Sequence, residues 1–477
     1  MTEEDHRVHP TLDDPVAAAA SEAIGGPMGE HARPPRRWWT PSLLVLLAAC
    51  AFAVGMLQKA PCYEDTWLDG SERYTAMCYS DLPYLYVGRG FAELTWPYDD
   101  DPDVRARYED VMEYPVGISY FAWATAHVAV EASELVDEWR ARLDGAPAPP
   151  PVDVRDRASV PVDRLYDDPQ VRQEIRAFVV VSALFFGLVV MLSTWLLTRT
   201  HRDRPWDAAL FALSPALILT GLVNWDVLAA GLVAAALWAW SRDRPVLTGV
   251  LVGLGTATKL YPLFLLGGLL VICLRRRRYA DLARAAVAAA LAWLVANAPA
   301  YLTGRDEWQV FWTFNSDRGA DLGSIWLVIS QAGASVDPGL INNVSLAFFA
   351  GWCAMVLALG LLAPEDPRLA QLGFLVVAGF LLVNKVYSPQ YVLWLLPLAV
   401  LARPRWRDQL VWQAGEILYF ASVWWYLNGD LAPGGGDDPG LYWLAIVVRI
   451  ACQLWLVGVV VRDVLQPWRD PVERSLS

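Results

Sequence analysis

Two lysines lie inside segments that are otherwise apolar, and both are candidates for binding an anion. Lys259 lies in Gly-Thr-Ala-Thr-Lys-Leu-Tyr-Pro, and Lys385 lies in Leu-Val-Asn-Lys-Val-Tyr-Ser-Pro. A charge in hydrocarbon costs about 2.5–3.5 kcal/mol on insertion scales, so such a residue predicts a functional site. The shared lysine–X–tyrosine spacing predicts one anionic ligand for both lysines. The alternative is that both side chains extend to a nearby water interface.

The composition predicts an all-α integral membrane protein. Of the 477 residues, 55% are hydrophobic, and 24 are tryptophans, which are enriched where membrane helices meet water. The net charge of −13 argues against nucleic-acid binding. No spacing of cysteine and histidine predicts zinc, and no glycine-rich loop follows a strand, so no metal or cofactor is expected. We predict a polytopic bundle of about 12 transmembrane helices.

Arginine clusters set the predicted orientation, because short cytoplasmic loops carry the excess of basic residues. The clusters placed inside, together with both termini, are 33–37, 199–204, 242–244, 275–278, 403–407 and Arg462. The segment between Arg244 and Arg275 is too long for one span and short for two, so two short helices meeting near Lys259 are expected. The segment from Arg204 to Arg242 predicts a hairpin with its tip at 224–226. The first predicted span begins near Ser42. The other predicted spans cover 173–198, 282–299, 343–362, 369–384, 390–402, 410–427 and 441–461, with a half-helix at 325–333.

The apolar stretch 114–130 does not fit this count as a span. As a span it would place the acidic segment 131–171 inside and the arginine-rich segment 199–204 outside. We therefore predict a short helix lying in the outer interface.

The predicted organisation has three parts. A disordered cytoplasmic tail covers 1–37, a transmembrane domain covers 38–466, and a second cytoplasmic tail covers 467–477. The first external loop region, 59–172, contains short interfacial helices and an insertion at about 131–171, whose proline-rich stretch from Ala146 reads as a linker.

In this topology the polar residues of apolar segments share the outer side. They are Arg73, Asp81, Arg89, Glu113, Asn224, Asp226, Lys259, 315–318, Lys385 and Gln390. A transporter more often places its charges at the midplane of related halves, and the sequence shows no internal repeat. The pattern favours an enzyme at the outer leaflet. A lipid or polysaccharide transporter and a regulatory membrane subunit are the alternatives.

Several motifs, in order along residues 40–462, carry a family resemblance. They are Ser-Asp-Leu-Pro-Tyr at Asp81, Glu-Tyr-Pro-Val at Glu113, Thr-Lys-Leu-Tyr-Pro-Leu at Lys259, Asn-Ser-Asp-Arg-Gly at Arg318 and Asn-Lys-Val-Tyr-Ser-Pro-Gln-Tyr at Lys385. The set resembles membrane glycosyltransferases of the GT-C superfamily, and within it glycosyltransferase family 87, whose members use polyprenol-phosphomannose.

The resemblance implies a GT-C-like fold and a hexosyltransferase that moves a sugar, mannose in that family's pattern, from polyprenyl phosphate to a glycolipid or polysaccharide outside the membrane. It implies that Asp81 is the general base of a direct displacement. Some relatives carry Asp-x-Asp, whereas this chain has Asp81-Leu-Pro, so no obligatory divalent ion is expected there. The alternative is that Asp81 only caps a short helix.

The remaining candidate roles follow from the phosphate leaving group, which needs fixed cations or hydrogen-bond donors. Lys259, Lys385 and Arg318 are the predicted phosphate ligands. Tyr261 and Tyr387 are hydroxyl donors, contacts of the isoprenoid chain or ordinary interface aromatics. Glu113 and Asp226 bind the sugar or pair with the lysines, with pairing favoured for Asp226, and Asn224 and Gln390 are supporting residues.

Two of the six cysteines fall in the predicted external loop. Cys62 and Cys78 would close a loop of about 17 residues just before Asp81, and an oxidising exterior permits such a bond. The alternative is two free thiols packed against Tyr63 and Tyr79.

Overall fold

The computed structural model describes residues 10–25, 39–68, 70–108, 112–147, 150, 153–432 and 439–472, and every regular element in these ranges is helical. The first nine helices are α1 (Pro10–Asp13), α2 (Pro15–Gly25), α3 (Trp39–Gln58), α4 (Ala60–Glu64), α5 (Glu72–Thr75), α6 (Leu82–Gly88), α7 (Pro102–Arg107), α8 (Val116–Leu143) and α9 (Val162–Leu165).

The remaining helices are α10 (Pro169–Thr200), α11 (Ala209–Ala212), α12 (Pro215–Thr220), α13 (Asp226–Ser241), α14 (Pro245–Thr258), α15 (Leu265–Arg275), α16 (Tyr279–Thr303), α17 (Arg305–Asp317), α18 (Ile325–Gln331), α19 (Pro338–Leu362), α20 (Leu369–Val383), α21 (Val392–Ala402), α22 (Trp406–Asn428) and α23 (Gly440–Leu465). Short 3-10 helices cover Phe91–Glu93, Val154–Ser159, Pro205–Ala208, Tyr261–Phe264, Pro389–Tyr391 and Pro467–Arg469.

Within the described residues, five helices are long and apolar enough to cross a membrane. They are α3, α10, α16, α19 and α23, and shorter apolar helices accompany them, among them α13, α14 and α20. This architecture agrees with the predicted helical membrane protein. The count of about 12 spans stays a prediction, because helix length and composition reach that criterion in five cases only.

Two short helices meet next to Lys259, as predicted. Helix α14 ends at Thr258, Lys259 itself is extended, and a 3-10 turn begins at Tyr261. Close packing fixes α14 in place, since a Cβ on Gly249 or Gly253 would lie 2.1 or 2.2 Å from a carbonyl oxygen of α16. Glycines at this spacing let two membrane helices approach closely, and α14 therefore holds Lys259 on a rigid support.

The predicted short interfacial helix over 114–130 is wrong in its length. Helix α8 starts at Val116 but continues without a break to Leu143, so it spans 28 residues and includes the first part of the predicted insertion. Its second half is rich in alanine, glutamate, leucine and arginine, which are strong helix formers. Charge in that half marked it as loop, although it is compatible with a helix.

The rest of the predicted insertion is more than a linker. Arg157 forms a buried ion pair with Glu174 of α10, with Nη1 2.7 Å from Oε2, and also donates to the Ala92 carbonyl. Arg107 donates to the Arg157 and Val160 carbonyls and pairs with Glu93. These contacts pack 154–160 against the first loop. Residues 148–149 and 151–152 of the proline-rich stretch lie outside the described residues.

The prediction of a disordered tail over 1–37 is wrong for residues 10–25, which form α1 and α2. Asp13 pairs with Arg204 at 2.9 Å and with Arg405 at 3.0 Å. Buried Asp14 accepts from the Trp406 amide at 3.0 Å. These contacts supply the order that the tail's composition does not predict. Residues 1–9 and 26–38, with the arginines at 33–37, lie outside the described residues.

Candidate active site

The backbone leading to Asp81 is held from three directions. The structure joins Cys62 to Cys78 in a disulfide whose Cα atoms lie 5.8 Å apart. Lys59 Nζ donates to the Tyr79 carbonyl at 2.9 Å. The Asp81 amide donates to the Val223 carbonyl at 2.7 Å, which fastens the loop to the turn before α13. The carboxylate at 81 is thus set against the transmembrane part of the fold.

The Asp81 side chain does not act as a helix cap. Asp81 occupies the N-cap position of α6, but its carboxylate makes no capping hydrogen bond. Instead Oδ2 accepts from the Tyr114 hydroxyl at 3.1 Å. Burial raises the pKa of Asp81 to about 6, against the opposing effect of hydrogen bonds from Tyr79 and Tyr114. A carboxyl group with this pKa is ionised at neutral pH and basic enough to accept a proton.

Lys259 and Asp226 form an ion pair, as favoured from the sequence. Lys259 Nζ lies 3.1 Å from Asp226 Oδ1, and both side chains are buried. Asn224 Oδ1 accepts from the Asp226 amide at 3.0 Å and so shapes the turn that begins α13. The pairing compensates the buried lysine, because opposite charges within hydrogen-bond distance offset part of the cost of desolvation.

Tyr114 brings the acid and the lysine into one site. Its hydroxyl donates to Asp81, while Lys259 Nζ lies 4.7 Å from the centre of its ring, within the range of a cation–π contact. Trp225 packs edge-on against the same ring at 5.5 Å. Asp81 and Lys259 therefore contact different parts of one tyrosine.

A stack of aromatic rings extends the site beyond Lys259. Tyr391 lies 6.0 Å from Lys259 Nζ, and it stacks on Trp394, which stacks on Tyr261. The Tyr261 hydroxyl and Gln390 Oε1 are buried and accept or donate no hydrogen bond to the described part of the chain. Tyr261 belongs to the stack, and Gln390 directly precedes Tyr391 in the sequence.

Lys385 and Arg318 contact residues other than those that contact Lys259. Lys385 Nζ donates to the carbonyls of Asn315 and Ser316, at 2.8 and 2.9 Å, which are at the C-terminal end of α17. A cation is favourable there because of the helix dipole. Arg318 uses its fork on Asp321, with Nε 2.7 Å from Oδ2. Within the described residues, no contact joins Lys259 to Lys385, so a ligand shared by the two lysines stays a prediction.

Tyr387 is fully buried, and its amide donates to the Leu322 carbonyl in the loop after α17. Its hydroxyl donates to Glu416 at 2.9 Å, and the Arg449 guanidinium lies 3.5 Å from its ring centre. Arg449 also donates to the Gly323 carbonyl. Tyr387 is thus part of the packing that supports the loop after α17.

Glu113 lies next to Tyr114 and pairs with Arg89 at 2.7 Å. Its negative charge helps to raise the pKa of Asp81, so it is an electrostatic neighbour of the acid. Among the residues that the structure describes, no group of three histidine, cysteine, aspartate or glutamate side chains is arranged to bind a metal ion.

Four residues of the site were not predicted as site residues from the sequence: Lys59, Tyr79, Tyr114 and Tyr391. A signal existed for Tyr114, which lies between Glu113 and a proline in the motif Glu-Tyr-Pro-Val. Lys59 is one of only three lysines in the chain, and the rarity of this residue type was a second signal.

Comparison with known families adds a decisive observation. Residues 170–384 match glycosyltransferase family 87. This confirms the resemblance predicted from the motifs, and with the apolar helices it indicates a membrane glycosyltransferase. A search of curated proteins finds no match to the chain.

The glycosyltransferase family 87 match covers somewhat under half of the chain and runs from the start of α10 to the end of α20. It includes Asp226, Lys259 and Arg318. Asp81, Glu113, Lys385, Tyr387 and Gln390 lie outside it. The family match therefore covers the lysine side of the site, and the acid side is connected to it by Tyr114.

Proposed function

We propose that this chain transfers a sugar, mannose in the pattern of glycosyltransferase family 87, from a polyprenyl-phosphate donor to an acceptor hydroxyl outside the membrane. One observation carries the proposal: a carboxylate with a raised pKa and a buried lysine both contact Tyr114. Glycosyl transfer from a phosphate needs both groups, a base for the acceptor and a cation for the leaving group.

Asp81 acts as the base in this proposal. The acceptor oxygen attacks the anomeric carbon and forms the new C–O bond while its proton passes to the Asp81 carboxylate. The bond from the anomeric carbon to the phosphate oxygen breaks, and the electron pair leaves with polyprenyl phosphate. The Tyr114 hydroxyl orients the carboxylate, and a positioned base of this kind typically contributes about 10²- to 10⁴-fold.

Lys259 stabilises the leaving phosphate. Its amine carries three N–H donors and lies 3.1 Å from Asp226 Oδ1, so donors remain for phosphate oxygens. The pairing fixes the amine before the donor binds, and a preorganised cation in a water-poor site is worth more than one in water. The described residues supply the base and the cation from the chain itself.

The test compares wild type with Asp81→Asn in purified protein, using polyprenyl-phosphate mannose and an alkyl mannoside. We expect transfer to fall at least about 100-fold with little change in expression. Glu64→Gln is the matched control, because Glu64 is an exposed carboxylate of the same loop. Retention of more than a tenth of the activity by Asp81→Asn would assign the base elsewhere.

A wild-type protein that binds polyprenyl phosphate but transfers no sugar would instead favour the transporter class. Transport of a labelled lipid in proteoliposomes would then be measured with the same two variants.

A further inference from the structure

A cavity of about 230 Å³ lies between α3 and α10, apart from the cleft at Lys259. Met56 and Leu57 of α3 form one wall, and Val180 and Ala183 of α10 form the other. Both helices are long and apolar enough to cross a membrane. Most of its lining side chains are apolar, so this cavity suits a slender apolar chain and not a sugar headgroup, whose hydroxyl groups would be buried without hydrogen-bond partners.

One end of the cavity lies at the lipid-facing surface of the helix bundle. Leu57 lines the cavity and is 72% exposed, and Leu184, next to Ala183 in α10, is 60% exposed. Apolar side chains that are this exposed on membrane-length helices face lipid. A chain is therefore able to enter from the bilayer without crossing water.

The other end of the cavity reaches the residues next to Asp81 in the sequence and the fold. Lys59 and Ser80 line it, and Ser80 directly precedes the acid. Lys59 Nζ donates to the Tyr79 carbonyl, and the Tyr79 side chain lies close enough to Asp81 to act against the rise in the pKa of the acid. A molecule whose chain fills the cavity would therefore carry its polar head out beside Asp81, next to a basic side chain.

Geometry selects the acceptor as the occupant. Asp81 has two tyrosine neighbours: Tyr114 leads to Lys259, and Tyr79 leads to Lys59 and the cavity. The proposed function places the donor phosphate at Lys259. In a direct displacement the attacking hydroxyl approaches the sugar from the face opposite the leaving group. The acceptor would then approach Asp81 from the side of Tyr79, which is also the side of the cavity.

We propose that the cavity between α3 and α10 binds one apolar chain of a lipid-anchored acceptor, which presents its sugar hydroxyl to Asp81. This inference rests on the proposed function, and it makes the acceptor a glycolipid. The apolar walls of the cavity suit a chain and would leave the hydroxyl groups of a headgroup without hydrogen-bond partners.

The experiment compares two acceptors that share a headgroup: methyl mannoside and a long-chain alkyl mannoside. Val180→Trp fills the cavity from α10, and Met56→Trp fills it from the opposite wall. Each variant is expected to raise KM for the alkyl mannoside at least about tenfold, since each buried methylene contributes to affinity. The kcat/KM for methyl mannoside and the KM for the donor should stay within about twofold, the scale of changes remote from a contact.

Leu184→Trp is the matched control, because it adds the same ring to α10 on a lipid-exposed position. It should leave all three parameters near wild type. A raised donor KM in Val180→Trp and Met56→Trp, with the alkyl mannoside unaffected, would overturn the proposal and assign the cavity to the donor chain. Equal losses for both mannosides would also overturn it.

A binding measurement separates this inference from the proposed function. An alkyl mannoside with a diazirine at the end of its chain is photoactivated on the full-length protein, and labelled peptides are mapped. Labelling of α3 and α10 that is lost in Val180→Trp and kept in Leu184→Trp supports the cavity even if no sugar is transferred. Labelling elsewhere, in a protein that does transfer sugar, refutes the cavity and leaves the proposed function standing.

Discussion

The acid limb of the pH profile should shift in opposite directions in two neighbouring variants, Tyr114→Phe and Glu113→Gln. With a pKa of about 6, Asp81 is about nine-tenths ionised at pH 7 and about one-tenth ionised at pH 5. If the ionised carboxylate is the base, wild-type kcat/KM should fall roughly tenfold over this range. As the pH rises through about 6, kcat/KM should recover to its full value.

Tyr114→Phe removes a hydrogen bond that favours the ionised carboxylate, so the pKa of Asp81 should rise and the limb should move to higher pH. A net hydrogen bond is worth about 0.5–1.5 kcal/mol, and one pKa unit is about 1.4 kcal/mol, so the expected displacement is roughly 0.4 to 1 unit. The ring contact with Lys259 is kept by phenylalanine.

Glu113→Gln removes a negative charge that raises the pKa of Asp81, so the limb should move to lower pH. Other charges near the acid are Lys259 and Lys59. Burial lowers the pKa of Lys59 to about 7, so Lys59 is largely charged below pH 6.5 and the acid limb is best read there.

The assay is initial-rate transfer at low donor concentration between pH 4.5 and 8, since kcat/KM reports the pKa of the free enzyme. Folding at each pH is checked by retention in size-exclusion chromatography. Displacements of the same sign in the two variants, or a wild-type limb near pH 4, would refute the assignment of Asp81 as the titrating base.

Four further predictions concern the ion pair, the lysines, the disulfide and the topology. Asp226→Asn leaves Lys259 buried without its partner and should lower the free energy of unfolding by about 3–5 kcal/mol, measured by thermal unfolding; recovery in Asp226→Asn/Lys259→Met would confirm that the stranded charge is the cause. Lys259→Gln should weaken donor use more than Lys385→Gln, because Lys259 contacts Tyr114, the hydrogen-bond partner of Asp81, whereas Lys385 binds carbonyls of α17; equal donor KM values would contradict this. Cys62→Ser should cost up to about 3 kcal/mol of stability, and an equal melting temperature for this variant and wild type without reductant would count against a formed bridge. Asp153→Cys should react with an impermeant reagent on intact cells, and labelling only after lysis would reverse the predicted orientation.

Local sequence patterns predict the supports of the site better than its contacts. The meeting of two short helices at Lys259 follows from the length of one apolar segment, and the turn at Asp226 follows from polar residues between arginine clusters. Both features depend on neighbours within about 20 residues, the length of one span. The ion pair between them follows because a buried charge needs compensation.

The contacts of Tyr114 have no such local signal. This residue joins Asp81, 33 positions earlier, to Lys259 in another helix pair, and only the packed fold brings the three together. Lys385 shows the converse error: its lysine–X–tyrosine spacing resembles that of Lys259, yet its amine binds the end of α17. Helix α17 mixes charged and aromatic residues and is absent from the sequence-based topology, so its carbonyls were not available as partners for Lys385 in that prediction.

The contacts of Asp13 also bear on the order in which the chain is completed. Asp13 and Asp14 bind Arg405 and Trp406, which are 392 positions later in the sequence. A chain emerging from the ribosome therefore contains these acids long before it contains their partners. The N-terminal segment acquires its final contacts only after α21 has been made, and its docking marks a late step of biosynthesis. Resistance of α2 to proteases would accordingly report that the helices from α3 to α21 have been inserted.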